Sequence, residues 1–257
     1  MELIKLFDLF NKLYPLNTQE EWDNSGFFNK YENFNVTDVL VSLDINIDVI
    51  NKAINNNIKL IISHHPIYIN ESDLKFNHIK KLIKIIENNN ITILSLHTNF
   101  DKAKKGMNYS LLKELKLKEI KQLKESPYIF FGELKNKLDF KSILKYIKNY
   151  LDLNHVIYDE YSYHLINSKN IKRIAVVGGS GSSELYSIKN KYKIDLFLTG
   201  EIKWHLYNLA FNKRMSLIDI GHIAEKIFIK VIENVINKFC SDINVVKCEN
   251  TTYLKII

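Results

Sequence analysis

The chain has 257 residues, 46% hydrophobic and 25% charged, enough to bury a substantial core in one large domain or two smaller ones. No apolar run is long enough to cross a bilayer, and the amphipathic start, Met1 to Phe7, has neither the apolar core nor the cleavage site of a secretory signal. The net charge of +7 rests almost wholly on lysine, with arginine only at Arg173 and Arg214, which disfavours sequence-specific nucleic-acid binding through bidentate readout of guanine or phosphate.

Apolar positions at helical spacing, Leu3, Phe7, Phe10 and Leu13, predict a first helix ended by Pro15. Strands follow at 39–44, 59–63 and 91–96, separated by helices over 47–56 and 76–88. That alternation implies parallel pairing through right-handed crossovers. The middle is less regular: a strand at 128–132, a helix over 140–151 capped by Asp139, and a strand at 155–158. The alternation resumes with strands at 173–177, 195–198 and 216–219, a short helix reaching about 190, helices over 203–212 and 223–238, and two short closing strands. The expected fold is α/β, two α/β units with mixed, largely parallel sheets flanked by helices and a metal site in the cleft between them. The first unit is expected at 1–126 and the second at 127–257, with C-terminal elements able to pack back on the first. Cys240 and Cys248 form neither metal-type spacing nor a disulfide framework, which points to a reducing cytoplasm.

Polar chemistry recurs where these strands end. His64 and His65 follow the apolar run 59–63, at the carboxyl end where open α/β sheets place ligands. Neutral imidazole is the commonest metal ligand, and adjacent histidines diverge, so each can serve one of two ions. Taken alone, a surface loop explains the pair equally well. His97 and Asp101 follow strand 91–96, Glu201 follows strand 195–198, and His222 and Glu225 follow strand 216–219. His222 and Glu225 are three apart at a helix start, on one helical face. His64, His65 and His222 with Asp101 and Glu225 are enough ligands for two divalent ions, with Glu225 the first choice for a bridging carboxylate and Asp101 the second. Such a set suits Zn, Mn, Fe or Co.

Plainer roles stand beside these. His97 can simply bond backbone at a strand end, Asp101 can cap a helix, and Glu225 can be a solvated first-turn carboxylate. His78 and His164 read as surface residues, and His155 as a strand residue. His205 lies on a helix just beyond Glu201, within reach of the site. The glycine-serine run 178–183 reads as a tight turn, with a phosphate cradle as the alternative; it matches neither the Rossmann nor the P-loop fingerprint.

In this order and spacing, the segments Glu21-Trp22-Asp23-Asn24-Ser25-Gly26, Leu43-Asp44, Ile62-Ser63-His64-His65-Pro66, His97-Thr98-Asn99-Phe100-Asp101, Gly106-Met107-Asn108, Val177-Gly178-Gly179-Ser180-Gly181, Thr199-Gly200-Glu201 and Gly221-His222-Ile223-Ala224-Glu225 carry a family likeness. The chain resembles the Nif-three-like dinuclear metal-centre proteins, also called GTP cyclohydrolase 1 type 2 homologues, over nearly its whole length. The resemblance implies that His64, His65, Asp101, His222 and Glu225 ligate two divalent metal ions per subunit, Zn, Mn or Fe. It also implies a homohexamer, a trimer of dimers with metal sites facing inward, and a purine nucleotide ring-opening reaction on GTP. The His-x-x-Glu spacing of the last pair departs from the His-x-x-x-Glu of many relatives, and the chain is too short for the insertion that some of them carry between the halves. The expected function is a metal-dependent hydrolase acting on a small-molecule substrate, a nucleotide or phosphoester, with Glu201, His97 or His205 as proton shuttle. Its rival is a non-enzymatic metal-binding scaffold, metal chaperone or regulatory interaction protein.

Overall fold

A computed structural model describes residues 1–29, 32–168, 171–188 and 190–249. The chain forms two compact units, one of Met1–Ala103 with the residues from Phe228 on, the other Lys104–Ile227. The first opens with α1 (Leu3–Leu13), which buries Leu3, Leu6 and Phe10 and stops ahead of Pro15. Next come β1 (Gly26–Phe27), β2 (Asp38–Ser42), α2 (Ile47–Asn55), β3 (Leu60–Ser63), α3 (Asn77–Asn88), β4 (Thr92–Ser95) and the short α4 (Thr98–Lys102). The Asn46 side chain caps α2 by accepting from the Val49 N–H. β2, β3 and β4 pair in parallel, and β3 and β4 are buried at every position, the reason these segments read as unbroken apolar runs. β1 adds antiparallel to β4.

The second unit contains α5 (Met107–Glu114), β5 (Lys118–Gln122), β6 (Phe130–Leu138), α6 (Phe140–Leu151), α7 (Glu160–Ser168), β7 (Ile171–Val177), β8 (Leu196–Thr199), α8 (Trp204–Lys213) and β9 (Ser216–Asp219). Its sheet runs β5-β6-β7-β8-β9, with β7, β8 and β9 parallel and β5 and β6 antiparallel to their neighbours. α5 and β5 precede residue 127 but pack with β6 and β7, so this unit starts at Lys104. The chain then returns to the first unit through α9 (Ile227–Phe239) and β10 (Asn244–Cys248), which lies parallel to β2 at the edge of the first sheet. The architecture is therefore mixed α/β with two five-stranded, mostly parallel sheets flanked by helices.

Some elements differ from the sequence expectation. Residues 155–158 form no strand; Ile157 makes only an isolated bridge to Asp219. α7 was not expected from its polar and aromatic run, and Asp159 starts it by accepting from the Ser162 N–H at 2.9 Å. The short helix before 190 is a 3-10 turn, Gly181–Ser187. A 3-10 turn, His222–Lys226, also precedes α9, where one continuous α-helix was expected. β5 escaped notice because it is a charged edge strand, Lys118-Glu119-Ile120-Lys121-Gln122, with no buried face to pattern it. The second of the two closing strands falls outside the described residues.

Candidate metal centre

In the first unit the parallel strands end in register, with Ser42 beside Ser63 and Ser63 beside Ser95. The Ser42 hydroxyl donates to the Asp44 carbonyl and the Ser63 hydroxyl to the His65 carbonyl, both at 2.8 Å. The same device thus turns both strand ends and presents Asp44, His64 and His65 on one rim, with His97 following β4.

Each of these histidines is held by its Nδ1. His64 is fully buried, and its Nδ1 lies 2.8 Å from the Leu96 carbonyl. A carbonyl only accepts, so Nδ1 carries a proton, and in the neutral ring the lone pair is then on Nε2. His65 Nδ1 lies 2.6 Å from Asp44 Oδ1, and His97 Nδ1 lies 2.8 Å from Asp23 Oδ1. Carboxylates set the same tautomer, the arrangement that orients metal-binding imidazoles. One ring nitrogen from each of His64, His65 and His97 lies within 4.8 Å of the others, so this cluster could hold a metal ion. Asp101, on α4, places Oδ1 3.7 Å from His64 Nε2. Phe100 and Phe228 pack on the His64 ring with centroids 6.0 and 5.3 Å away, walling it from water.

Asp23 is the anchor of this rim. It accepts from the Thr98 N–H at 3.0 Å, the Ser25 hydroxyl at 2.7 Å, the Asn24 N–H at 2.7 Å and the Thr98 hydroxyl, besides His97. Burial pushes its carboxyl up, but the hydrogen bonds from His97, Thr98 and Ser25 outweigh this and hold it well below the usual carboxylate range.

In the second unit the ends of β7, β8 and β9 supply Gly178-Gly179, Glu201 and His222. The Glu201 carboxylate bonds His222 Nδ1, and His222 Nε2 lies 3.0 Å from Glu225 Oε2. Glu225 is only 3% exposed. Glu201 itself has a φ of 53°, a left-handed backbone that costs a non-glycine residue about 1–2 kcal/mol and aims its side chain at His222. Gly179 explains how the Glu225 carboxylate fits: its φ is 53°, and a Cβ there would stand 2.7 Å from Glu225 Oε1. Gly200 is equally constrained, since its Cβ would meet the Gly179 carbonyl at 2.8 Å. The Gly178 N–H donates to Asn108 Oδ1 at 2.7 Å. The glycine run is thus a tight turn folded against a carboxylate, and that negative charge opposes a phosphate in the same place.

Of the residues singled out by sequence, His64, His65, His97 and Asp101 gather in the first unit, and Glu201, His222 and Glu225 in the second. His205 is exposed on α8. His78 stacks on Phe76, and His164 lies 3.6 Å from Glu160, both on the surface. Asp23 and Asp44 were not recognised as orienting residues. Their histidines lie 74 and 21 positions away, and no spacing rule signals such a pair.

Histidines and carboxylates arrayed at the carboxyl rims of parallel sheets define an α/β protein with candidate metal-binding groups. A family model described as Duf34/NIF3 (NGG1p interacting factor 3) matches residues 1–253, and the chain belongs to that family. A relative from Ureaplasma parvum serovar 3, named GTP cyclohydrolase 1 type 2 homolog, is 37% identical over 243 residues, 92% of this chain and 91% of that protein. A crystal structure of a Staphylococcus aureus protein matches with a TM-score of 0.88 at 23% identity, covering 100% of this chain and 99% of that one. A Bacillus cereus protein related to NIF3 matches with a TM-score of 0.86 at 18% identity, covering 100% and 99%. At these identities the two crystal structures speak for the fold alone.

Proposed function

We propose that the protein binds two divalent metal ions, Zn, Mn or Fe, through His64, His65, Asp101, His222 and Glu225, and uses them to hydrolyse a nucleotide or phosphoester. One observation carries this reading. His64, His65 and His97 each place Nδ1 against an oxygen, from Leu96, Asp44 and Asp23 respectively, the kind of bond that orients metal-binding imidazoles, and one ring nitrogen from each lies within 4.8 Å of the others. A mixed imidazole and carboxylate donor set without thiolate fits those ions. Bound divalent ions supply Lewis acidity and a water of lowered pKa. The chain's own residues do the rest. Asp44 and Glu201 orient the imidazoles of His65 and His222. Asp23 orients His97, whose Nε2 is placed to take or return a proton, with Glu201 the alternative shuttle. Phe100 and Phe228 keep water from the buried side of His64.

The GTP cyclohydrolase name of the relatives makes a purine nucleotide the first substrate to try. The family resemblance supports a homohexamer, and the two free thiols support a cytoplasmic location. The test is elemental analysis of purified protein, then turnover of a nucleotide and phosphoester panel by wild type, His65→Ala and Glu225→Ala. Bound metal and turnover in the wild type, both lost in the variants, are expected. Full occupancy with no turnover of any panel member would replace the hydrolase with the scaffold reading. Light scattering of the same sample reads the assembly.

A further inference from the structure

The chain holds two tryptophans, and one of them, Trp22, stands 55% exposed beside His97. An indole left this open forgoes much of the apolar burial that usually stabilises it. Nor is it carried on a loose loop. The Asp23 N–H closes a turn on the Glu20 carbonyl at 3.0 Å. The Glu20 N–H donates to the Thr98 hydroxyl at 3.0 Å, and the Glu20 carboxylate pairs with Lys102 at 2.6 Å. Asp23, on the other side, is bound to His97 and Thr98. Both ends of the turn are therefore clamped to the segment 97–102 that carries His97 and Asp101. The indole meets the His97 ring at 5.9 Å and 73°, an edge contact that leaves much of its surface open to a ligand.

We propose that Trp22 is a specificity-determining residue, an indole shelf beside the histidine cluster that stacks on a planar aromatic ring of the ligand. The inference rests on the metal-centre reading above and narrows its substrate class to ring-bearing molecules. A rigid aromatic surface binds a planar heterocycle at little ordering cost, and any base offers a π-face to it. A simple phosphoester without a ring gains nothing from it.

The test compares guanosine monophosphate with ribose 5-phosphate, which share sugar and phosphate and differ in the ring. Trp204→Phe leaves Trp22 as the remaining indole, so its emission reports directly. Guanosine monophosphate is expected to quench that emission in the metal-loaded protein. By calorimetry, Trp22→Ala is expected to weaken guanosine monophosphate by about tenfold to a hundredfold, the usual loss of one base–aromatic stack, and Trp22→Phe by less. Ribose 5-phosphate affinity and metal content are expected to stay at the wild-type level. Equal loss for both probes, no loss for the nucleotide, or no nucleotide binding by the wild type each overturns the shelf. So does dissociation of the assembly in Trp22→Ala with nucleotide affinity unchanged, which would assign Trp22 to a contact between copies. Metal content measured on the same samples judges the metal-centre reading separately.

Discussion

Replacing Asp23 by Asn keeps the side chain's shape and reverses half of its hydrogen bonding. Every neighbour of this buried carboxylate is a donor: His97 Nδ1 and the Asn24 N–H at one oxygen, the Thr98 N–H and the Ser25 and Thr98 hydroxyls at the other. A carboxamide offers one acceptor oxygen and one NH2, which only donates. Its better orientation directs the NH2 toward the hydroxyls, which rotate to accept, and leaves the Thr98 N–H unpaired. The loss is one charge-assisted bond, worth roughly 1.5–3 kcal/mol, and one buried donor left unsatisfied, costing about 1–3 kcal/mol. We expect Asp23→Asn to destabilise the protein by about 3–5 kcal/mol at pH 7, read from urea unfolding with an unchanged m value. The pH dependence has a definite sign. The folded carboxyl lies below its ordinary value, so its contribution is complete above about pH 4 and drains as pH falls toward the folded value. Asp23→Asn should therefore flatten the acid limb of the stability curve. A loss under about 1 kcal/mol at pH 7, or an acid limb like the wild type's, would refute the assignment of Asp23 as the anchor of the rim.

Asp44→Asn removes the carboxylate 2.6 Å from His65 Nδ1 and should weaken metal binding by about 10- to 100-fold in a chelator competition. Gly179→Ala should cost about 1–2 kcal/mol for the left-handed backbone and displace Glu225, so thermal unfolding and metal content should fall together; wild-type values of both would contradict the close-approach argument. Asp139→Ala removes the cap that accepts from the Ser142 N–H and should cost roughly 1 kcal/mol in chemical unfolding with metal content untouched. Phe100→Ala, at a fully buried position, should cost about 3–5 kcal/mol in the same assay, and a smaller loss would show that the wall behind His64 collapses to fill the space.

Much of this protein was legible in one dimension because its signals are local. Buried parallel strands read as apolar runs, which marks β2, β3, β4, β7, β8 and β9; amphipathic spacing marks α1 and α3, and the Asp139 cap marks α6. Strand ends then pointed to His64, His65, His97, Asp101, Glu201, His222 and Glu225, since a parallel sheet collects its carboxyl ends on one rim. The elements that were missed lack such periodicity: β1 is two residues long, β5 is a charged edge, and α7 is polar and aromatic. Tertiary structure alone decided which oxygen each histidine's Nδ1 meets. Asp23 and Asp44 reach their imidazoles across 74 and 21 residues, and a bare turn at Gly179 admits the Glu225 carboxylate. Sequence determines which residues stand at a strand end. Only the folded chain determines which nitrogen keeps its proton, because the acceptor that sets the tautomer comes from a distant segment.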